Sequence, residues 1–345
     1  MVDNPNSIDL ICVGDNATDA FIRLSQAELH CDIDKPDCKI CLKFASKIPY
    51  ESVTTVSAGG NASNVAIGAA KLGLKTALIS NVGDDERGEQ TLQKLKASKV
   101  NTELVFIQNG KTTNFNYVLW YADDRTILVK HESFDYQIPE ILETPGWLYV
   151  SSFGKNPEES KNLILNFLDK HPQTKLAFSP GTMQLLAGKE TLKEIYGKTD
   201  ILFCNLQEAG KITGLKDKPL NNIVSALQSL GIKESLITDG ENGAYHFNGH
   251  DLAHTPIVPT EKPVFERTGA GDAFTSAYLA AIIEGQPPET ALLWGAINSS
   301  SVVMKIGPHE GLLDKTQIEA KTASITDFVI DKNPNEISSL VEPLI

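Results

Sequence analysis

Residues 268–274 carry the clearest sign of chemistry in this chain, the sequence Thr-Gly-Ala-Gly-Asp-Ala-Phe at the start of a long apolar helical stretch. Small residues let backbone N–H groups approach an anion, and at a helix start those groups are unpaired and carry the positive end of the helix dipole. We predict an anion hole for a phosphoryl group at Gly269, Ala270 and Gly271. Asp272 is then placed to act as the base that takes a proton from an attacking hydroxyl.

Two common phosphate-binding motifs do not match this sequence, and in each case a single position excludes the match. Gly-Lys-Thr at 110–112 would end a P-loop only if position 105 were glycine, and it is valine. The glycines at 269 and 271 would open a dinucleotide fold only with glycine or alanine at position 274, which is phenylalanine. The competing interpretation of residues 268–274 is a glycine-rich turn that serves packing alone.

A second glycine motif, Gly-Gly-Asn-Ala-Ser-Asn, occupies residues 59–64 and runs into a helix of small residues that ends at a glycine. Gly59 and Gly60 would let a substrate approach backbone amides, and Asn64 would bind a substrate hydroxyl. The alternative for Asn64 is a polar residue that serves the start of the helix.

With these motifs, Asn-x-x-Glu at 205–208 and Thr-x-Gly-x-x-Gly at 238–243, the chain resembles the ribokinase-like (PfkB) carbohydrate kinase family over about residues 8–314. The four motifs occur in the family's order and at its spacing. The resemblance implies an α/β fold, a doubly wound and mostly parallel sheet flanked by helices, with a small β-sheet lid. It also implies a kinase that uses ATP and Mg²⁺.

The resemblance assigns roles to residues at the ends of predicted strands, where ligands bind in open α/β sheets. Substrate hydroxyls would be held by Asn16 and Asp19, since a carboxylate accepts hydrogen bonds from a polyol. Glu208 would hold Mg²⁺ through water, and the alternative is a helix first turn that favours Glu. The nucleotide is expected along Asn205, Thr238, Gly240, Gly243 and Asn298.

Two departures from the family pattern concern the surroundings of the predicted site. Glu266-Arg267 stands where the family has Asp-Thr beside a monovalent-cation site. This change argues against activation by potassium, and the Arg267 charge would substitute for the cation. The strand end at 150–154 also lacks the carboxylate that some sugar kinases place there, so the far end of the substrate is unspecified.

Three functions compete on these residues. The first is an ATP-dependent phosphotransferase acting on a hydroxyl, expected to be a hydroxymethyl, of a sugar or sugar-derived molecule. The second is a nucleoside kinase, with a base stacked on the lid aromatics Phe115, Trp120 or Tyr121; lid packing is the alternative role of these rings. The third is a catalytically idle sugar- or nucleotide-binding protein, which an intact Asp272 disfavours.

Composition limits the partners. The chain has 345 residues, 41% of them hydrophobic, and a net charge of −13, which argues against nucleic acid and anionic membranes. The N-terminal residues lack a basic and apolar signal, and no apolar stretch is long enough to span a bilayer, so a cytoplasmic protein is expected.

The alternation of strand and helix patterns predicts one kinase domain over residues 1–330, with a tail at 331–345 to which we assign no role. Two strand-like groups, about 20–57 and 104–130, interrupt the alternation and are predicted to form one lid sheet. Its exposed edges and face suggest a homodimer through the lid. Helices are predicted at 86–97, 158–169, 189–196, 206–213, 220–230, 270–284 and 289–304.

The five cysteines fall into two groups. Cys12 and Cys204 lie in apolar strand-like runs and are expected to be buried. Cys31, Cys38 and Cys41 cluster at a predicted hairpin tip. An odd number argues against a full disulfide framework. Ordinary thiols near solvent are expected, with a zinc site or redox chemistry as alternatives.

Overall fold

A computed structural model describes residues 8–31, 38–121, 124–141, 143–216 and 218–325. The tail at 331–345 lies outside these ranges. The strands are, in chain order, β1 (Leu10–Val13), β2 (Ala17–Leu24), β3 (Glu28–Cys31), β4 (Cys38–Cys41), β5 (Tyr50–Gly59), β6 (Thr76–Gly83), β7 (Val105–Gln108), β8 (Phe115–Tyr121), β9 (Asp124–Leu128), β10 (Trp147–Val150), β11 (Lys175–Phe178), β12 (Ile201–Asn205), β13 (Glu234–Thr238), β14 (Ala244–Phe247) and β15 (Leu252–Thr255).

The helices are α1 (Asn61–Lys71), α2 (Glu86–Ala97), α3 (Pro157–Lys170), α4 (Thr182–Ala187), α5 (Lys189–Lys198), α6 (Leu206–Thr213), α7 (Leu220–Ser229), α8 (Ala270–Ile283), α9 (Pro288–Val302) and α10 (Lys315–Ser324). The seven helices predicted from sequence are present, and two of them, 86–97 and 206–213, have the predicted bounds. Within the described ranges, no helix combines the length and the apolar character that crossing a bilayer requires.

The main sheet is mostly parallel, as predicted. Over the described residues it has nine strands in the order β15-β14-β13-β12-β11-β10-β1-β6-β7. The pairs from β13 to β7 are parallel, whereas β14 and β15 run antiparallel at one edge and were not predicted from the sequence.

Both faces of this sheet are buried, and the strand period explains why. In β1, Leu10 and Cys12 pack with α1, α8 and α9 on one face, while Ile11 and Val13 pack with α3, α5, α6 and α7 on the other. Because successive side chains of a strand point to opposite faces, a run of four apolar residues supplies both layers. The doubly wound architecture follows, and the expected burial of Cys12 and Cys204 is confirmed.

The lid is a four-stranded sheet in the order β5-β2-β8-β9. The prediction of one sheet from residues 20–57 and 104–130 is correct for these strands and wrong for two other parts. β7 pairs with β6 at the edge of the main sheet. β3 and β4 pair with each other as a separate hairpin. A short apolar strand does not reveal from its own sequence which sheet edge it will join.

The β3–β4 hairpin corrects the expectation for the clustered cysteines. Cys31 lies opposite Cys38 in the antiparallel register, with 4.1 Å between their Cα atoms, and the two form a disulfide. Cys41 is a free, half-buried thiol. Because disulfides persist mainly in oxidising compartments, this bond does not favour the cytoplasmic location expected from composition.

Helices α1 and α8 approach each other closely through small residues. Gly68 of α1 faces Ser276 of α8, and a Cβ added at Gly68 would lie 2.7 Å from the Ser276 Cβ. Both helices begin at the carboxyl edge of the main sheet, after Gly60 and Gly269 respectively. Their close contact therefore brings the two glycine motifs of the sequence together.

We expect Gly68→Ala to lower the free energy of unfolding by about 1–3 kcal/mol, because the added methyl overpacks the contact between α1 and α8. Gly197→Ala is the matched control, since Gly197 also lies in a helix but an added Cβ there has no neighbour within 4 Å. It should raise stability by up to about 1 kcal/mol. Urea denaturation measures both, and equal effects of the two substitutions would contradict the close packing.

Candidate active site

Asp272 lies in the first turn of α8 and is held by two amide groups from the first turn of α1. Asn61 Nδ2 donates to Asp272 Oδ1 at 2.9 Å, and Asn64 Nδ2 donates to Asp272 Oδ2 at 2.7 Å. The contact between α1 and α8 thus places the predicted base against the Gly-Gly-Asn motif, 208 residues away in the chain. The carboxylate is half-buried at one end of a polar crevice.

Burial raises the pKa of Asp272 to about 6, and the hydrogen bonds from Asn64 and Asn61 limit the rise. The negative charges of Glu208 and Asp19 raise the pKa further. A general base works best when its pKa lies close to the working pH, because it is then both ionised and basic enough to take a proton. The surroundings of Asp272 meet this requirement without a cationic partner in its hydrogen-bond shell.

The backbone at the start of α8 leaves N–H groups directed at the crevice. In the described part of the chain, the amides of Gly271 and Asp272 have no hydrogen-bond partner, whereas the Ala270 N–H makes a long bond, 3.3 Å, to the Arg267 carbonyl. Gly269 has φ of 82° and packs against Pro308, where a Cβ would clash. The glycine is needed there for both reasons.

The crevice has a volume of about 360 Å³ and contains several of the residues predicted from sequence. It lies between the carboxyl ends of β10–β13, the start of α8 and the lid strand β9. Its lining includes Asn61, Arg125, Ser151, Ser152, Ser179, Asn205, Glu208, Thr238, Arg267, Gly269, Gly271 and Asp272.

Asn205 and Glu208 form a capping box at the start of α6. Asn205 Oδ1 accepts from the Glu208 N–H at 2.8 Å, and Glu208 Oε2 accepts from the Asn205 N–H at 3.0 Å. The same two side chains face the crevice, and burial raises the pKa of Glu208. Glu208 therefore does serve the first turn of α6, which was the alternative role. The same hydrogen bonds hold its side chain in place, and its negative charge acts on Asp272.

Asp19, predicted to bind the substrate, is buried on the lid strand β2. Asn116 Nδ2 donates to Asp19 Oδ1 at 2.8 Å, and Gly59 lies against the other carboxylate oxygen, where a Cβ would clash. Burial raises the pKa of Asp19, and the nearby Glu266 raises it further. Gly60 follows directly as the N-cap of α1. The structure thus brings Asp19, Gly59, Gly60 and Asn64 to the same end of the sheet.

Asn16 is buried and its amide nitrogen is already used. Asn16 Nδ2 donates to Ser80 Oγ at 2.8 Å and to the Asn81 carbonyl at 2.9 Å, whereas Asn16 Oδ1 has no partner in the described residues. This side chain therefore connects the turn after β1 to β6. Its carbonyl oxygen is buried as well, so the structure does not expose Asn16 to a substrate as predicted.

The expectation for Asn298 is corrected. The residue is fully buried in α9; Asn298 Nδ2 donates to the Ala273 carbonyl at 2.9 Å, and Asn298 Oδ1 accepts from the Leu313 N–H at 3.0 Å. It supports the first turn of α8 from behind and does not face the crevice. Gly240 and Gly243 lie in the turn between β13 and β14, beyond the residues that line the crevice, which Thr238 does line.

Glu266 and Arg267 depart from the family pattern, and their side chains have different partners. Glu266 is buried, accepts hydrogen bonds from Thr268, and lies 3.7 Å from the Arg125 guanidinium of the lid. Arg267 extends into the crevice and donates to Glu241 at 2.8 Å. Two arginines therefore line the crevice, and each is paired with a glutamate.

Three residues at the site were missed in the sequence. Asn61 could have been found, because it lies in the Gly-Gly-Asn motif, one helical turn before Asn64. Arg125 and His309 could not, since each belongs to a segment without a motif. No group of three or more His, Cys, Asp and Glu side chains suitable for a metal occurs among the residues that the structure covers.

Comparison with known proteins identifies the family. Residues 28–315 match the pfkB family carbohydrate kinase. The chain is 30% identical over 258 residues to a cytidine kinase of Thermococcus kodakarensis, covering 72% of this chain and 88% of the relative. It is 27% identical over 266 residues to a ribokinase of Bacillus subtilis, covering 76% of this chain and 86% of the relative.

Solved structures with the same fold include the nucleoside kinase of Methanocaldococcus jannaschii, with TM-score 0.75, 21% identity, and coverage of 92% of this chain and 99% of that one. The Arabidopsis thaliana ribokinase complexed with ribose and ATP has TM-score 0.73, 22% identity, and coverage of 91% and 98%. These likenesses establish the ribokinase-like fold. Together with the family match over most of its length, they show that this chain belongs to the pfkB family of carbohydrate kinases.

Proposed function

We propose that this kinase transfers the terminal phosphoryl group of ATP to a hydroxyl, expected to be a hydroxymethyl, of a sugar or sugar-derived small molecule. The observation that carries the proposal is the position of Asp272: its carboxylate, with a pKa raised to about 6 by burial, lies beside the unpaired N–H groups of Gly271 and its own backbone. A base and an anion hole are thus adjacent at one helix start.

In this mechanism, Asp272 takes the proton of the acceptor hydroxyl while the acceptor oxygen forms a bond to the terminal phosphorus. The bond between that phosphorus and the bridging oxygen of ATP breaks, and its electron pair stays on the oxygen of the departing ADP. The N–H groups at the start of α8 and the helix dipole stabilise the negative charge of the transferred group. Asp19, buried beside Gly59, orients the acceptor molecule by accepting hydrogen bonds from its hydroxyl groups.

The crevice fits a nucleotide with Mg²⁺. One Glu208 oxygen accepts from the Asn205 backbone, which leaves the other available to water on a metal ion, and Mg²⁺ in proteins keeps several waters. The metal, when bound with the nucleotide, would neutralise charge on the phosphates. Arg267 adds positive charge at the same place, which supports independence from a monovalent cation.

A nucleoside acceptor is the second candidate, and the cytidine kinase and nucleoside kinase among the relatives favour it. The lid aromatics give it less support. Trp120 is buried and makes an edge contact with Phe265 at 4.8 Å, so it is already packed. ATP turnover with a panel of pentoses, hexoses, sugar acids and nucleosides separates the two. An idle binding protein would turn over ATP with none of them.

The lid also supports the proposal of a homodimer. On β2, β5 and β8, the register aligns Ile22 with Val53 and Leu119, and on the same face Tyr117 pairs with Leu128 of β9. Val53, Tyr117 and Leu128 are 52%, 47% and 51% exposed. The opposite face, with Phe21, Val118 and Trp120, is buried. A small sheet with an exposed apolar face gains stability when a second copy covers it.

Asp272→Asn should reduce kcat by about 10²–10⁴-fold, because the amide keeps the shape but cannot accept the proton. The KM values for ATP and acceptor should stay within a few-fold. Asp169→Asn, a surface change on α3, serves as the control and should have no effect. Steady-state kinetics on the best acceptor of the panel gives both numbers. Turnover of Asp272→Asn within a few-fold of wild type would remove Asp272 from the role of base.

Activity should fall as the pH drops through about 6, because Asp272 is then protonated and cannot act as a base. Asn61→Ala removes a donor that stabilises the ionised carboxylate, so the acid limb of kcat/KM should move up by about 1 pH unit. The phosphates of ATP titrate in the same range, but Asn61 cannot change their titration in free solution. An acid limb that does not move would indicate that another group sets it.

Sedimentation velocity at micromolar concentration should show a dimer for the wild-type chain and a monomer for Tyr117→Glu, because a charge cannot be buried in the apolar lid interface. Ile107→Glu is the control, since Ile107 is 56% exposed on β7, outside the lid. It should remain a dimer. A wild-type monomer with full activity would refute the lid interface and leave the kinase assignment intact.

A further inference from the structure

His309 is a buried histidine, 6% exposed, in the segment that connects α9 to α10. Its Nε2 lies 2.9 Å from Asn64 Oδ1. The other end of the same amide, Asn64 Nδ2, donates to Asp272 Oδ2 at 2.7 Å. Asn64 therefore bridges His309 and the carboxylate to which we assign the role of base.

The polarity of this chain of hydrogen bonds follows from chemistry. An ionised carboxylate can only accept, so the amide nitrogen of Asn64 must face Asp272 and its oxygen must face His309. His309 Nε2 then carries the hydrogen. Nδ1 is buried and has no partner in the described part of the chain, so Asn64 alone determines which nitrogen is protonated.

The imidazole stays neutral over the range in which a kinase works. Burial lowers the pKa of His309 to about 3, and the positive charge of Lys94 lowers it further. A ring that does not titrate between pH 5 and 9 cannot be a proton acceptor for catalysis. It can serve as a fixed hydrogen-bond donor.

The segment around His309 is held from two sides. Pro308 packs against Gly269 at the start of α8, and Gly307 lies so close to the lid that an added Cβ would be 3.1 Å from Val56 of β5. The two residues before His309 are therefore held by contacts with both the start of α8 and the lid.

We propose that His309 is a positioning residue for phosphoryl transfer: its Nε2–H fixes the Asn64 amide so that the amide nitrogen faces Asp272 and keeps that carboxylate ionised. The proposal rests on the proposed role of Asp272 as base. In the reversed orientation, the Asn64 oxygen would face the carboxylate, an arrangement that is stable only when Asp272 is protonated. The donor on His309 disfavours this orientation.

The other groups around Asp272 act independently of His309. Asp19 on β2 and Glu208 on α6 raise the pKa of Asp272, and Asn61 donates to its second oxygen. Tyr149 on β10 is also near, because burial and then the charge of Asp272 raise the pKa of the phenol. None of these is altered by a substitution at position 309, so a change in the acid limb would report the link through Asn64.

His309→Phe removes the donor and retains a ring of similar size, and His309→Gln places an amide donor at a similar reach. For His309→Phe we expect the acid limb of kcat/KM, measured with the best acceptor of the panel, to move up by about 1 unit, giving about a five-fold loss at pH 6 and almost none at pH 8.5. His309→Gln should restore the wild-type limb. A residue needed for folding alone would lose activity equally at both pH values, and that result, or an unmoved limb, would overturn the proposal.

A second measurement needs no turnover. The wild-type protein with ¹⁵N-labelled histidine has seven histidines, and the His309 signal is assigned as the one absent from His309→Gln. We expect protonation at Nε2 alone, unchanged from pH 5 to 8. Protonation at Nδ1, or titration near 6.5, would overturn the proposal. If Asp272→Asn keeps its turnover, Asp272 is not the base and the role of His309 in positioning that base fails with it, even though the Nε2 result stands.

Discussion

The close contact between α1 and α8 is the constraint on which the candidate site depends. Gly68 and Ser276 let the two helices approach so that their first turns meet, and the amides of Asn61 and Asn64 then reach both oxygens of Asp272. A wider separation would leave a half-buried carboxylate without donors. Packing in the core thus sets the hydrogen-bond geometry at the crevice, and the proposed base, anion hole and substrate end all depend on this one helix contact.

The negative charge of Asp272 is stabilised by neutral hydrogen-bond donors. Asp272 lies near two other carboxylates, Asp19 and Glu208, and its hydrogen-bond partners are amides. Burial raises the pKa of Asp272 to about 6, and the amide donors limit this rise less than a cation would. Arg125 and Arg267 also line the crevice, and each is paired with a glutamate. The proposed base therefore relies on neutral side-chain donors, and the proposed anion hole beside it relies on backbone N–H groups.

The lid shows where a sequence pattern is insufficient. Strands β2, β5, β8 and β9 join one sheet, as expected, but β7, which was predicted to join them, is a short apolar strand and pairs with the main sheet. Strand propensity describes a half-buried pleated surface, and it does not specify the neighbouring strand. The disulfide between Cys31 and Cys38 also depends on register, because only the hairpin places the two cysteines opposite each other.

The sequence by itself determined the α/β alternation, the helix starts and the local chemistry of Asp272 and its glycines, because these follow from periodicity and from the backbone freedom of adjacent residues. It determined Glu208 and Asn205 as a pair for the same reason, since a capping box spans four residues. The tertiary structure decided the rest. It buried Asn298 behind α8, paired Arg125 with Glu266, and set His309 on Asn64 across 245 residues. Contacts between distant segments depend on how whole layers pack, and no local pattern encodes that packing.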